Sequence, residues 1–492
     1  MHKRTFQITF VLLLVGAMLL AACAPAAEAP AAEVEVSEEE AVAVAEVEEA
    51  TTGFDWKQVE GTKITVFLNE TPMALAVRTH IDEFIDLTGI DLDFLVVAED
   101  QYWSKLTIDL SSKANQFNVF MSGPTINWGY ANAGQIQALD PFMNDPTLTP
   151  ENWDVDDFYP WAFESNRWDG TPGPKGMGVG DLWSVPIDAV LPLFTFRKDI
   201  FDKYDLEVPE TWEDWAAVAA EIQEVTGGVN EDGTPLYSVV QRGALNTTTL
   251  SGPFMSGLVS YDGTDFHEDL TSAVNDPEAI AFQTLYMDTI KKYGTPEWPN
   301  QIWFDVQQGF ATGQYAMVYD VGDFIPVFEK DEGAVKGKLG YTRPLAGPKG
   351  TRGSSLWTWG LSMNAETKDD QAKAAWLFIM WASNQEVMKS FAQTGSWPTR
   401  LSVWESDEVQ AYASQYGEGE YSFVKAFGDT MANDVGWFVS PLIESGGAGE
   451  FWVKGLHDYY FGEGDMQTIM DGVADQVNQF LVDSGTLAAM PE

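Results

Sequence analysis

The chain has 492 residues, and 75 acidic against 27 basic side chains give a net charge of −48. So negative a surface opposes nucleic acid, whose phosphates demand Lys and Arg, and equally opposes lying on an anionic bilayer. A single cysteine, Cys23, excludes an internal disulfide.

Lys3 and Arg4 precede an apolar run over residues 10–20, too short to span a bilayer, which reads as the core of a signal peptide over residues 1–22. Ala21 and Ala22, followed at once by Cys23, resemble the lipobox of bacterial lipoproteins. That resemblance implies a diacylglycerol on Cys23 and an extracytoplasmic protein attached to the membrane through its lipid alone. Acyl chains at about 0.8 kcal/mol per buried methylene would hold it firmly. Residues 24–53 carry nine Glu and no Lys or Arg among small residues, which predicts an extended, disordered stalk. Residues 54–492 still hold 25 basic and 66 acidic side chains, so the acidity belongs to the folded part too. That part is too long for one simple core and predicts two or more lobes.

The first folded segment reads strand, helix, strand. Residues 63–68 form a short apolar run, then Val77, Ile81, Phe84 and Thr88 follow at helical spacing, with Gly89 placed to end the helix. Residues 90–94 alternate like a second strand. Such a unit implies a parallel pair with a right-handed crossover, and ligands meet such sheets at the carboxyl ends of the strands. Asn69 and Glu70, just after the first strand, stand at that edge. Farther on, Thr211 is an N-cap whose capping-box partner is Asp214, with Trp215, Val218, Ala219 and Ile222 as the buried stripe. A later helix starting near Thr367 or Lys368 carries Ala372, Ala375, Trp376, Ile379 and Met380 on one face.

Several segments recur as landmarks: Gly61-Thr62-Lys63-Ile64-Thr65-Val66, then Leu139-Asp140-Pro141-Phe142, then Leu182-Trp183-Ser184-Val185-Pro186 with Phe196-Arg197-Lys198-Asp199 and Val208-Pro209-Glu210-Thr211-Trp212. Gly309-Phe310-Ala311-Thr312-Gly313-Gln314-Tyr315-Ala316-Met317 comes next, and Ala374-Ala375-Trp376-Leu377-Phe378 leads to Gly395-Ser396-Trp397-Pro398-Thr399-Arg400. Their order and spacing resemble the family 1 extracellular solute-binding proteins of ABC importers, which include maltose-, sugar- and polyol-binding proteins. The resemblance covers nearly the whole mature chain. It departs from the family at Phe117-Asn118-Val119-Phe120, where relatives often have Pro-Asp-Val, and in its heavier acidity.

The resemblance implies an α/β fold of the two-lobed, periplasmic-binding-protein-like type II class, with a hinge and an interlobe ligand cleft. Lobe 1 would comprise residues 54–188 and about 357–403, and lobe 2 about 189–356 and 404–492. The chain would cross near 187–193 and 353–359 and return near 401–405. It further implies a monomer that captures a neutral saccharide or polyol and delivers it to a membrane permease, with no cofactor and no metal.

Nineteen Trp suit such a ligand, because sugar C–H faces lie flat on indole while hydroxyls take Asp, Asn, Glu and Arg partners. The aromatic candidates are Trp128, Trp357, Trp359 and Trp397, each in an expected loop or crossing, together with Trp103. The alternation of Trp357 and Trp359 places both on one face of an extended segment. The polar candidates are Asn69, Glu70, Asp188, Asp320, Asp323 and Arg400. Asp320 and Asp323 follow the 316–319 strand, a loop that contacts ligand in the family; Asp323 and Phe324 stand where relatives often have Trp.

Rival chemistries find little support. A glycosidase needs two carboxyls roughly 5–10 Å apart, and 75 acidic residues single out no pair. His2, His80, His267 and His457 lack metal-ligand spacing, and Gly333-Ala334-Val335-Lys336-Gly337-Lys338 is one residue short of a phosphate loop. No tandem repeat argues for a scaffold. An anionic ligand would want several Arg or Lys in the cleft, so within transport the remaining alternative is another small solute.

Overall fold

The computed structural model describes residues 53–488 apart from Trp437. The signal segment, Cys23 and nearly all of the stalk lie outside the described residues.

Along the chain come β1 (Lys63–Asn69), α1 (Pro72–Thr79), α2 (Ile81–Thr88), β2 (Asp91–Val97), α3 (Glu99–Ser112), β3 (Val119–Ser122), α4 (Pro124–Asn132) and β4 (Val185–Val190). Next are β5 (Pro192–Arg197), α5 (Trp212–Thr226), β6 (Tyr237–Val240), α6 (Pro277–Tyr293), α7 (Trp303–Ala311), β7 (Tyr315–Val321) and β8 (Leu339–Thr342). The principal elements end with β9 (Trp357–Met363), α8 (Asp369–Ala382), α9 (Phe423–Asn433), α10 (Ser445–Phe461) and α11 (Met466–Ser484).

Two sheets organise them. The first has the order β2-β1-β3-β9-β4, with β1 parallel to β2 and β3, and β9 antiparallel to β3 and β4. The second has the order β8-β5-β7-β6, antiparallel except for the parallel β6–β7 pair. This is a two-lobed α/β architecture, one sheet to each lobe.

Local chemistry explains the helix ends. The Asp214 N–H donates to Thr211 Oγ1 at 3.0 Å and the Thr211 N–H donates to Asp214 Oδ2 at 3.2 Å, closing the capping box of α5. Gly89 ends α2 at φ 66°, a left-handed conformation in which a Cβ is strained. The one helix expected between β1 and β2 is two. Thr71 caps α1 ahead of Pro72, and the turn closes at His80, whose N–H bonds the Val77 carbonyl before α2 begins.

The core forms two clusters, the first of which spans both lobes. A first apolar cluster fills lobe 1 and continues across the crossing into lobe 2, through Leu193 of β5, Val240 of β6, Phe310 of α7, Tyr315, Val318 and Val321 of β7 and Leu339 and Tyr341 of β8. A second packs Ala316, Met317 and Tyr319 of β7 against α5, α6, α10 and α11. Buried on both faces, β7 is apolar except for Asp320, which Arg242 pairs.

The chain leaves lobe 1 through Leu191, between β4 and β5, and re-enters it at Leu356, between Ser355 and β9. The return comes later than residues 401–405. The short helices Leu401–Trp404 and Asp407–Ala413 still pack on the lobe 1 helix Gln385–Ala392, whereas the turn Gly419–Tyr421 reaches β8 and α9 reaches both β5 and β8. Val403, Trp404 and Val409 are buried in the first cluster, Trp404 also against Phe427 of α9 at 5.3 Å.

Candidate ligand-binding site

In the first sheet, β1, β3 and β4 run the same way, so their carboxyl ends share an edge with the start of β9. Asn69 ends β1; it is 3% exposed, and its Oδ1 is buried with no hydrogen-bond partner. Asp188, 2% exposed, sits near the end of β4 directly across from Trp359. The Trp359 and Trp103 rings stack at 6.3 Å and 28°, and Trp357 meets Trp359 edge-on at 5.3 Å. The Trp357 Nε1–H is buried without an acceptor. Its ring passes so close to Gly123 that a Cβ there would lie 2.3 Å from Trp357 Cζ2. Beneath this wall, Ser122 Oγ donates to Asn127 Oδ1 at 2.6 Å and Asn127 Nδ2 donates to Ser184 Oγ at 2.9 Å. This network pins α4 to the end of β3.

In the second sheet, the carboxyl ends of the parallel β6 and β7 supply the facing edge. Arg242 follows β6 and grips Asp320 with two N–H groups, Nε to Oδ2 at 2.9 Å and Nη2 to Oδ1 at 2.5 Å. Its Nη1 donates to Ser251 Oγ at 2.8 Å, and its guanidinium lies 6.0 Å from the Phe324 ring centre. Trp303, on α7, lies 6.3 Å from Phe324. The buried Gln241 Nε2 and Asp323 Oδ1 have no partners. The turn that carries Asp323 is docked on the crossing itself, because the Gly322 N–H donates to the Leu191 carbonyl at 2.9 Å. Both edges therefore converge where the chain passes between lobes.

Burial pushes the Asp188 carboxyl well up from its ordinary value, against the Trp397 N–H that Oδ1 accepts at 3.0 Å. Burial does the same to Asp323, and the nearby Asp188 charge pushes further.

The sequence candidates divide on this geometry. Asn69, Asp188, Trp103, Trp357 and Trp359 gather on the lobe 1 edge, and Asp323 on the lobe 2 edge. Glu70 is at the same edge but exposed. Four placements correct expectations. Trp128 lies on α4 rather than in a loop and is 2% exposed. Trp397 is in the expected loop, but its ring is buried between Phe423 at 4.5 Å and Phe427 at 5.4 Å. Asp320 has both oxygens engaged, by Arg242 and by the Val321 N–H, so it positions Arg242. Arg400 is wholly buried and donates to the Ser383, Asp154 and Trp153 carbonyls at 2.7–2.8 Å and to Asp157 at 3.2 Å, with Phe158 beneath it. Burial outweighs Asp157 and lowers its pKa to about 10. It is a staple of lobe 1, with nothing left to offer a cleft.

Arg242, Gln241 and Trp303 were missed. The signal for the first two was present, since they follow an apolar run at a strand end just as Asn69 does; Trp303 opens a helix and gave none. Among the described residues no trio of His, Cys, Asp or Glu could hold a metal. A separate groove of about 660 Å³ between α5 and α6 shares no residue with either edge.

The convergent groups combine flat aromatic faces with unpartnered donors and unpartnered acceptors. Ligand hydroxyls answer both, since each donates and accepts.

Comparison with known proteins identifies the family and the fold. The chain is 26% identical over 426 residues to the erythritol/L-threitol-binding protein of Mycolicibacterium smegmatis, covering 84% of this chain and 85% of that one. It is 24% identical over 313 residues to the mannitol-binding protein of Pseudomonas aeruginosa, covering 62% and 64%. The fold matches that of a solute-binding protein from Agrobacterium radiobacter in complex with ribitol, with a TM-score of 0.71 at 20% identity over 86% of this chain and 99% of that one. It also matches one from Agrobacterium vitis with bound D-mannitol, with a TM-score of 0.67 at 21% identity and coverage of 86% and 99%. A model of the bacterial extracellular solute-binding protein family matches residues 77–389. The chain belongs to that family, the bacterial extracellular solute-binding proteins.

Proposed function

We propose that the chain is the lipid-anchored capture subunit of an ABC importer, monomeric and tethered through Cys23, and that its cargo is a neutral polyol or saccharide. One observation carries the ligand class: Asn69 Oδ1 and Trp357 Nε1 on one lobe, and Asp323 Oδ1 and Gln241 Nε2 on the other, are buried polar atoms without partners, both donors and acceptors. Buried polar groups are costly unless paired. A hydroxylated ligand between the edges pairs all four, while Trp103, Trp357 and Trp359 take its C–H face. The relatives that bind erythritol or mannitol, and the neighbours solved with ribitol and D-mannitol, support the same class.

Function follows from the hinge. A ligand that contacts both lobes stabilises the closed form over the open one, and that difference is what a permease reads. Binding occurs without turnover in this reading. Arg242, the cation at the edge, is committed to Asp320, which disfavours anionic cargo.

Thermal unfolding of the full chain against polyols, sugars, amino acids and peptides tests the assignment. A ligand at 100 times its Kd adds about 2.7 kcal/mol. Stabilisation by polyols or sugars alone is the expected result; stabilisation by amino acids or peptides alone overturns the cargo.

A further inference from the structure

The two lobes also meet at a place that shares no residue with either edge of the cleft. From lobe 1 comes a hairpin based on Arg167–Trp168 and Asp181–Leu182. Arg167 Nη1 donates to Asp140 Oδ1 at 2.9 Å and the Leu139 N–H donates to the Leu182 carbonyl at 2.8 Å, which ties it to its lobe. Its loop is braced from within: Trp168 Nε1 donates to the Thr171 carbonyl at 2.7 Å, and the Gly176 N–H to the Gly173 carbonyl at 2.9 Å. From lobe 2 comes a second hairpin, closed by the bridge between Phe266 and Ser272, whose Ser272 N–H donates to Asn478 of α11 at 2.8 Å. At its base the buried Asp265 accepts from the Ser440 N–H at 2.8 Å and from Ser440 Oγ at 2.6 Å. Pro441 therefore moves with this hairpin as one piece.

The loop of the first hairpin rests on the second at three points. The Gly173 N–H donates to the Pro441 carbonyl at 2.8 Å. Leu270 lies so close to Gly173 that a Cβ on residue 173 would be 2.3 Å from Leu270 Cδ2. Lys175 Nζ meets Glu268 Oε2 at 3.1 Å, both side chains being largely exposed. Leu270 also has a φ of 70°, in the left-handed region where Gly is at ease and a bulky residue is uncommon. Strain of this kind persists where the surroundings compel it. The turn accounts for the left-handed backbone, and the contact with Gly173 accounts for a leucine there. Each half is braced by its own lobe, so a hinge rotation that parts the lobes here breaks the contact.

We propose that this contact is a clasp that favours the closed form whatever the cargo, so that Gly173 and Leu270 set how long a solute is held while the cleft residues set which solute is held. This rests on the reading above of capture by lobe closure. A contact made in the closed form alone shifts the balance between closed and open by its own free energy. The apparent affinity of every ligand that binds the closed form then changes by the same factor. The exposed Lys175–Glu268 pair is screened by solvent and salt and adds little. The half-buried Leu270 side chain and the Gly173 hydrogen bond carry the clasp.

The test uses the full chain carrying Leu270→Gly, which removes the side chain and leaves the turn at ease. Stopped-flow tryptophan fluorescence should show release of D-mannitol, erythritol and ribitol quickened by one common factor, about five- to tenfold, the scale of half-burying a leucine side chain. Association should hardly change. Gly173→Ala alone should also quicken release, but should add nothing in a chain that already carries Leu270→Gly. Unaltered release from Leu270→Gly overturns the clasp. So does a factor that differs from one polyol to the next, since Leu270 would then act through the ligand site. A second readout needs no ligand. In a chain carrying Cys23→Ser, Lys175→Cys and Glu268→Cys, a short bismaleimide should link positions 175 and 268 within one molecule, and Leu270→Gly should slow the linking several-fold. If linking behaves in this way and no polyol binds, the clasp stands and the polyol reading falls. If the two positions do not link, or Leu270→Gly leaves the rate unchanged, the clasp falls whatever binds.

Discussion

Trp359 pairs directly with Asp188 across β9 and β4, and the register slips at once, so that Gly360 faces Pro186 and Ile187 has no partner. A bulge of this kind re-aims the side chains beside it. Here it sets an aromatic face and a buried carboxyl side by side at the end of the lobe 1 sheet. Gly360 permits it, since a Cβ there would lie 2.7 Å from Ser184 Oγ and 2.9 Å from the Val185 carbonyl.

Replacing Trp359 by Ala should weaken D-mannitol or erythritol binding by about tenfold, since an aromatic contact contributes about 0.5–1.5 kcal/mol beyond area burial. Calorimetric titration checks it, with circular dichroism to establish that the fold survives.

Gly123→Ala places a methyl group against the Trp357 ring, whose Cζ2 would be 2.3 Å away. Overpacking of this kind costs about 1–3 kcal/mol, and here relief requires Trp357 to move. Both the midpoint of urea unfolding and polyol affinity should fall, whereas Gly129→Ala, on the helix that Gly123 precedes and with nothing within 4 Å, should spare affinity.

Arg400→Met should lower stability by about 3–5 kcal/mol, because the carboxylate of Asp157 and three buried carbonyls lose their donor. Arg400→Lys should rescue little, since one ammonium cannot reach that spread of carbonyls. Urea unfolding measures both, and the folded fraction should bind polyol with unaltered affinity, which separates a staple from a ligand contact.

Stability without ligand should depend on pH through Asp188 and Asp323. Their folded pKa values lie above the unfolded value of about 3.9, so in that window the native state binds more protons and stability falls as pH rises through it. Asp265, also raised by burial, adds a slope of the same sign. Asp323→Asn should therefore flatten the decline in melting temperature towards alkaline pH without abolishing it.

Where local chemistry decides structure, the sequence was legible. Thr211 with Asp214, Gly89, and the alternation of Trp357 with Trp359 each specify their own conformation. The strand-end argument reached Asn69 from its preceding apolar run. It failed to separate cleft residues from staples, because Arg400 and Asp323 look alike in sequence, as polar residues in loops near apolar segments. What distinguishes them is tertiary: three carbonyls contributed by residues 153, 154 and 383 consume Arg400, whereas Arg242 consumes Asp320 and leaves Asp323 without a cation. The late return of the chain to lobe 2 was hidden too, since nothing local in residues 401–413 signals that these short helices fold back onto Gln385–Ala392.

The most direct test of capture by lobe closure is small-angle X-ray scattering of the full chain titrated with D-mannitol, erythritol and ribitol, followed in parallel by tryptophan fluorescence. The account predicts a saturable contraction with at least one of them, accompanied by a spectral change that is lost in Trp359→Ala. No contraction and no spectral change with any polyol or sugar, alongside a contraction with an amino acid or peptide, would contradict it.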